Sequence, residues 1–257
     1  MRILFVGDVV SASGRKVCQF FIPKIKENYK VDVVIVNGEN SAGGFGVSKK
    51  TYKELIDSGA DIITTGNHVW DNREVLELIN QYDNIVVPYN LFPWVPGRKL
   101  YINEEYNLAV LNLQGKTFMD TPVSPLVSIK NLLNEGFFER YENVIVDLHA
   151  EATAEKAFIA YLLDGKVSAV IGTHTHVQTN DAKILPNGTF FITDVGMCGS
   201  YYSIIGFKIS KILEKFETGL SNKFEPEREK PYIFNAVLLE LENGRTKNFV
   251  VFNEICE

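Results

Sequence analysis

Apolar residues along this chain gather in short, nearly unbroken runs. Residues 3–6, 31–36, 61–64, 85–87, 108–111, 144–146, 169–171 and 190–192 are rich in Val, Ile and Leu and predict strands. Several run continuously where a half-exposed strand would alternate, which is the pattern of strands covered on both faces of a sheet. Helix-length segments separate them. In residues 14–29, Val17, Phe20, Phe21 and Ile25 fall at helical spacing, and Pro23 predicts a kink or a break. Residues 48–58 open on Ser48, a good N-cap, and stop before Gly59. Further helices are predicted over 72–82, 125–135 and 153–163. The alternation predicts an α/β layered fold with its helices outside the sheets.

No repeat or low-complexity tract interrupts this order. Residues 88–97, with three prolines, predict a loop too apolar for a simple linker, suited to a lid or a dimer contact. Beyond Asp194 the pattern is irregular through 196–206. Two last strand-like runs, 232–241 and 248–252, then suggest an antiparallel hairpin across Glu242-Asn243-Gly244. At 257 residues the chain is expected to form one domain over 1–257.

Composition narrows the picture. Hydrophobic residues make up 46% and charged residues 23%, the mix of an ordinary globular protein. No apolar run approaches the roughly 20 residues that span a bilayer, and the opening apolar stretch is short for a signal-peptide core. The expectation is a cytoplasmic protein without a membrane partner. Cys18, Cys198 and Cys256 form no C-x-x-C pair, which argues against a disulfide framework or a thiolate zinc site. A net charge of −6 lacks the footprint of a protein that grips extended nucleic acid.

The chemistry lies where the apolar runs end, the place where ligands bind in open α/β sheets. All four histidines occur there: His68 in Gly66-Asn67-His68, His149 in Asp147-Leu148-His149, and His174 and His176 in Gly172-Thr173-His174-Thr175-His176. Two further run-ends carry acids, Gly7-Asp8 and Asn37-Gly38-Glu39-Asn40. Asp8, Glu39, Asn40, Asn67, His149, His174 and His176 therefore form a candidate ligand set of oxygen and imidazole donors, suited to Mn, Fe or Zn. Glu39 has two oxygens and is the candidate bridge between two ions. His174 and His176, two apart, would leave an extended chain on one side and serve adjacent metals. Two divalent ions against the carboxylates of Asp8 and Glu39 leave positive charge for a hydroxide and a phosphodiester. Two such ions roughly 3.5–4 Å apart would acidify a bridging water for in-line attack.

His68 is the histidine least needed as a ligand. In an extended segment its side chain diverges from that of Asn67, toward a leaving oxygen that it could protonate. Asp71 is placed either to orient it or to make a surface salt bridge. Gly43-Gly44-Phe45-Gly46 lacks the lysine of a phosphate-binding loop and predicts a flexible loop near the site. Tyr201, Tyr202, Phe92 and Trp94 could stack on a base, though core or subunit packing suits each better. Cys198 reads as a small buried thiol.

These motifs resemble the calcineurin-like metallophosphoesterase superfamily, through Gly7-Asp8, Gly66-Asn67-His68 and Gly172-Thr173-His174-Thr175-His176. Glu39-Asn40, where many members carry an aspartate, points to a narrower group. The opening Met1 to Val10, Val36-Asn37-Gly38-Glu39-Asn40, Asp147 to Thr153 and Gly172 to Gln178 are similar to the YmdB-type family of 2′,3′-cyclic-nucleotide 2′-phosphodiesterases. Asn112-Leu113-Gln114-Gly115 and Thr193 to Met197 also fit, and the last 50 or so residues match no motif. The resemblance implies a sandwich of central sheets flanked by helices, a di-iron centre and a homo-oligomer. It also implies one metal held by Asp8, Glu39, Asn40 and His176, a second held by Glu39, Asn67, His149 and His174, and His68 as proton donor. The expected reaction is hydrolysis of a small cyclic nucleotide to its 3′-phosphate by metal-bound hydroxide. The alternatives are a broader phosphodiesterase or phosphatase, and a metal-containing sensor of nucleotides or RNA ends.

Overall fold

In a computed structural model that describes residues 1–220 and 224–257, the strands form two sheets packed face to face. The first part of the chain lays down β1 (Arg2–Val6), β2 (Asp8–Val9), α1 (Ser11–Tyr29), β3 (Val33–Asn37), α2 (Lys49–Asp57), β4 (Ile62–Thr64), α3 (Val75–Gln81) and β5 (Ile85–Val86). The second sheet takes β6 (Leu100–Asn103), β7 (Leu108–Gln114), β8 (Asn143–His149), β9 (Ala169–Thr173), β10 (Lys183–Ile184) and β11 (Phe190–Ile192), with α4 (Pro125–Asn134) and α5 (Thr153–Leu162) between strands. The chain then returns to the first sheet through β12 (Met197–Ser200), α6 (Ile209–Thr218), β13 (Tyr232–Glu242) and β14 (Arg245–Cys256).

Each sheet has a parallel heart: β1-β3-β4-β5 in the first, β7-β8-β9-β11 in the second. The unbroken apolar runs follow from this placement. Ile3 and Phe5 face the interior between the sheets with Val110, Ile145 and Ile171, while Leu4 and Val6 pack outward with Val17, Ile22 and Leu55 of the helices. On the far side, Val144 and Val146 pack with Ile129 and Ile159. Burying both faces of a strand removes its polar alternation.

The eight predicted strands are all present, with ends shifted by a few residues. Ser48 caps α2 as expected, in a reciprocal box with Thr51, and the helix stops short of Gly59 at φ 105°. The hairpin turns at Asn243 and Gly244, with φ of 50° and 72°, the left-handed pair of a tight two-residue turn. Two expectations need correction. Pro23 does not break α1: the helix runs on from Ser11 to Tyr29, with Pro23 and Gln19, whose carbonyl it leaves without a helical donor, both exposed. The stretch after Asp194 is also more regular than its sequence suggests, since it holds β12 and leads into α6. Residues 88–97 form a turn-rich segment tied down by buried Asn90, which donates to Gln114 O and Val123 O at 2.7 Å each. No helix among the described residues is long and apolar enough to cross a membrane.

Candidate metal centre

The carboxyl ends of β1, β3, β4, β8 and β9, three strands from one sheet and two from the other, deliver the candidate ligands to one edge of the sandwich. Asn37 joins the sheets there, donating through Nδ2 to Asp147 Oδ2 at 3.0 Å while its Oδ1 accepts the Glu39 backbone N–H at 3.2 Å. Gly66 lets the β4 turn come close. A Cβ at that position would lie 2.2 Å from Glu39 Oε2 and 2.5 Å from His149 Nε2.

Donor atoms crowd around His149 Nε2: Glu39 Oε1 at 2.9 Å, Asn67 Oδ1 at 3.0 Å and His174 Nδ1 at 3.0 Å. The ligand atoms of Glu39, His149 and His174 all lie within 4.8 Å of one another. A second group adjoins them, with Asn40 Oδ1 at 3.3 Å and Asp8 Oδ1 at 3.9 Å from His176 Nε2. Asp8 Oδ2 accepts the His174 backbone N–H at 3.1 Å, whereas its fully buried Oδ1 has no hydrogen-bond partner among the described residues. A buried carboxylate oxygen left without a donor is costly unless a cation answers it.

The far nitrogen of each clustered histidine has its own acceptor. His149 Nδ1 lies 2.9 Å from the Thr173 hydroxyl, which donates onward to Asp147 Oδ1 at 2.7 Å. His174 Nε2 lies 3.2 Å from Glu151 Oε2, and His176 Nδ1 lies 2.9 Å from the Ile205 carbonyl. These partners hold a proton on the outer nitrogen and turn a lone pair inward, the arrangement that orients imidazoles toward a metal. Inside the cluster, lone pairs then face lone pairs and carboxylate oxygens. The donor set fits cations held by nitrogen and oxygen ligands.

The titration behaviour carries the same imbalance. Burial lifts Asp8 to about 6, against the pull of His176 and His149. Burial opposes the charge of Glu39 as well, but His149 and then His68 hold its carboxyl at about 2. For His149 burial disfavours the proton, yet Glu39, Asp8 and Asp147 lift it to about 9, while burial and the neighbouring His149 drive His174 down to about 3. One proton on His149 thus stands where the acids call for positive charge.

His174 and His176 do not sit on extended chain as expected. Their φ values are 99° and 66°, a strained turn for non-glycine residues, and Thr175 between them is clamped by Asp194 Oδ2 at its N–H (2.9 Å) and hydroxyl (2.8 Å). Asp194 is held in turn by Lys156 Nζ at 2.9 Å, both side chains fully buried. The turn still sends the two imidazoles to different neighbours, His174 to His149 and His176 to Asn40. His68 likewise lies in a turn. Its backbone N–H donates to Glu39 Oε2 at 3.2 Å, its Nδ1 is 2.8 Å from Asp71 Oδ2, and its ring rests edge-on against Phe45 with centroids 4.8 Å apart.

The structure therefore brings together Asp8, Glu39, Asn40, Asn67, His149, His174 and His176, with His68 at the rim. The sequence motifs include Thr173, Glu151 and Asp194 without assigning them a role, and Lys156 and the Ile205 carbonyl lie outside those motifs. A lysine among the apolar positions of α5 was the one available signal for Lys156; the Ile205 contact is a backbone group that side-chain motifs do not announce. Of the four aromatics weighed for base stacking, none lines the cavity over the centre: Tyr201 and Tyr202 pair with each other, and Phe92 stacks on Trp94, which is 76% exposed. Cys198 is a buried free thiol, as expected.

Comparison with known proteins points the same way. The family profile described as YmdB-like protein matches residues 4–251. A Bacillus subtilis (strain 168) protein named 2′,3′-cyclic-nucleotide 2′-phosphodiesterase is 42% identical over 99% of this chain and 96% of its own. A crystal structure of a hypothetical protein from Thermus thermophilus superposes with a TM-score of 0.93 at 39% identity, covering 100% of both chains. A structure described as a novel phosphatase of Mycoplasma pneumoniae gives 0.92 at 31% identity, covering 99% of this chain and 93% of that one.

Proposed function

Because the chain belongs to the YmdB-like protein family, we propose that it is a metal-dependent phosphodiesterase that hydrolyses 2′,3′-cyclic nucleotides to 3′-phosphates, with His68 as proton donor. The observation that carries this reading is the convergence of Glu39 Oε1, Asn67 Oδ1 and His174 Nδ1 on His149 Nε2, beside the orphaned Asp8 Oδ1. In this reading Asp8, Glu39, Asn40 and His176 would hold one ion, and Glu39, Asn67, His149 and His174 a second. Two divalent cations supply charge neutralisation for a phosphoryl group and acidify water. The residues of the chain do the rest. Asn40 and Asn67 complete the set without adding negative charge that would repel an anionic substrate. Asp71 fixes His68 Nδ1 and leaves Nε2 to deliver a proton to the 2′ oxygen as the P–O2′ bond breaks and the P–O bond to water forms; the proton that water loses passes to solvent, from which the ring is recharged.

Residues 1–257 act as one catalytic domain in this reading, with iron as the resident metal, in a cytoplasmic homo-oligomer. Elemental analysis of protein purified without added metal, paired with hydrolysis of 2′,3′- and 3′,5′-cyclic nucleotides, tests it. About two metal equivalents and preferred turnover of the 2′,3′ substrate are expected. A metal-free active enzyme, or faster turnover of a generic phosphomonoester, would overturn it. The Mycoplasma pneumoniae relative described as a phosphatase favours the second reading, a broader phosphoesterase, which the same substrate panel separates from the first.

A further inference from the structure

The cavity over the centre, of about 440 Å³, is far larger than a phosphate group needs and falls in the range of small-molecule sites. Its polar lining side chains, such as Glu39, His68 and His174, belong to the metal centre or adjoin it. The remaining lining is Phe45, Ile205, Phe207, Ile212 and Phe224. The three phenylalanines form a continuous wall: Phe45 lies 5.6 Å from Phe207 and 6.5 Å from Phe224, and Phe207 lies 5.4 Å from Phe224. Phe207 is buried, whereas Phe45 and Phe224 keep part of their surface open.

The glycine-rich loop is the scaffold for this wall. Gly43, Gly44 and Gly46 all adopt positive φ (71°, 98° and 74°), and a Cβ on Gly44 would meet Phe207 Cε1 at 2.9 Å. The loop thus carries Phe45 against both Phe207 and the edge of His68, so the wall begins at the proton donor and extends away from it.

We propose that this wall receives the base of a nucleotide whose phosphate lies at the metal centre, an inference that rests on the nucleotide reading above. Aromatic surface accepts the π-face of any base, purine or pyrimidine. The subsite therefore takes purine and pyrimidine alike.

Titration calorimetry on the full chain loaded with Mn(II) tests this by binding alone, so its outcome does not depend on turnover. Adenosine and cytidine 3′-monophosphates are expected to bind roughly tenfold or more tighter than ribose 3-phosphate, and within a few-fold of each other. Phe45→Leu removes most of that advantage and Phe45→Trp restores it, with thermal melting confirming that both variants fold. Equal affinity with and without a base, or an equal loss on all three ligands in Phe45→Leu, overturns the proposal. A preference of a hundredfold for one base overturns the claim that the subsite does not discriminate. Base-dependent binding in a protein that hydrolyses no cyclic nucleotide would sink the proposed reaction and uphold the subsite.

Discussion

The Thr173 hydroxyl stands 2.9 Å from His149 Nδ1, and it is the group through which the buried carboxylate of Asp147 reaches that ring. Thr173→Val keeps the shape and removes the relay. It leaves His149 Nδ1 and Asp147 Oδ1 without this partner in a fully buried place, at a cost of about 1–3 kcal/mol. Without the relay the imidazole loses its fixed tautomer, and metal affinity is expected to fall roughly 10–100-fold. Competition with a chelator of known affinity measures the change; an unaltered metal affinity would show that the relay has no part in holding the site.

Gly66 gives a steric test. Its missing Cβ is what permits Glu39 Oε2 and the His149 ring to approach, so Gly66→Ala places a methyl group among the donors. The expected outcome is a protein that still melts cooperatively but retains little metal on purification. Full metal occupancy in a folded Gly66→Ala protein would contradict the arrangement.

The layered fold and the seven candidate ligand positions were legible in the sequence because each depends on local pattern. Strands with both faces covered cannot hide their unbroken apolar runs, and Asp8, Glu39, Asn67, His149 and His174 stand at strand ends by chain order alone. What was not legible depends on approach between distant segments. Ile205 reaches His176 through its carbonyl, Glu151 reaches His174 around a helix start, and Phe45 meets Phe207 from a remote part of the chain, contacts that no spacing rule encodes. Left-handed backbone at His174 and His176 was equally hidden, since it is imposed from outside by Asp194 on Thr175.

Lys156 and Asp194 supply that outside hold. Removing one partner of a fully buried pair strands the other charge, so Lys156→Met is expected to cost about 3–5 kcal/mol. Adding Asp194→Asn removes the stranded charge and recovers part of the loss. It does not recover all of it, because the Asp194 carboxylate also serves Thr175 and Gly196. Urea denaturation of the two variants checks the order: a double variant no more stable than Lys156→Met would show that burial of unpaired charge is not the cause.

The metal-free protein should lose stability in alkali. His149 sits at about 9 against an ordinary 6.5, chiefly because Glu39 outweighs the effect of burial. A raised histidine contributes stability that is fully present below pH 6.5 and disappears as the pH climbs through about 9. A bound cation would replace the His149 proton and take this dependence away. Melting temperatures of chelator-treated protein are therefore expected to fall between pH 6.5 and 9 more steeply than those of loaded protein. Parallel curves would show that His149 does not carry the compensating charge.

His68 and Asp71 separate chemistry from binding. The His68 side chain is 28% exposed at the rim, and its link to the centre is a backbone N–H to Glu39. His68→Ala therefore keeps the ligand set and the Glu39 contact while it removes the proton donor. The expected loss in kcat is about 10²–10⁴-fold with metal content unchanged. Asp71→Asn leaves an acceptor for His68 Nδ1 but removes its charge, so a smaller loss is expected, and Asp71→Ala, which removes the acceptor, should exceed it. A substrate with a leaving group that needs no proton, such as a p-nitrophenyl phosphodiester, should be much less sensitive to all three changes. Equal losses on that substrate and on a 2′,3′-cyclic nucleotide would assign His68 to binding and take the proton-donor role from it.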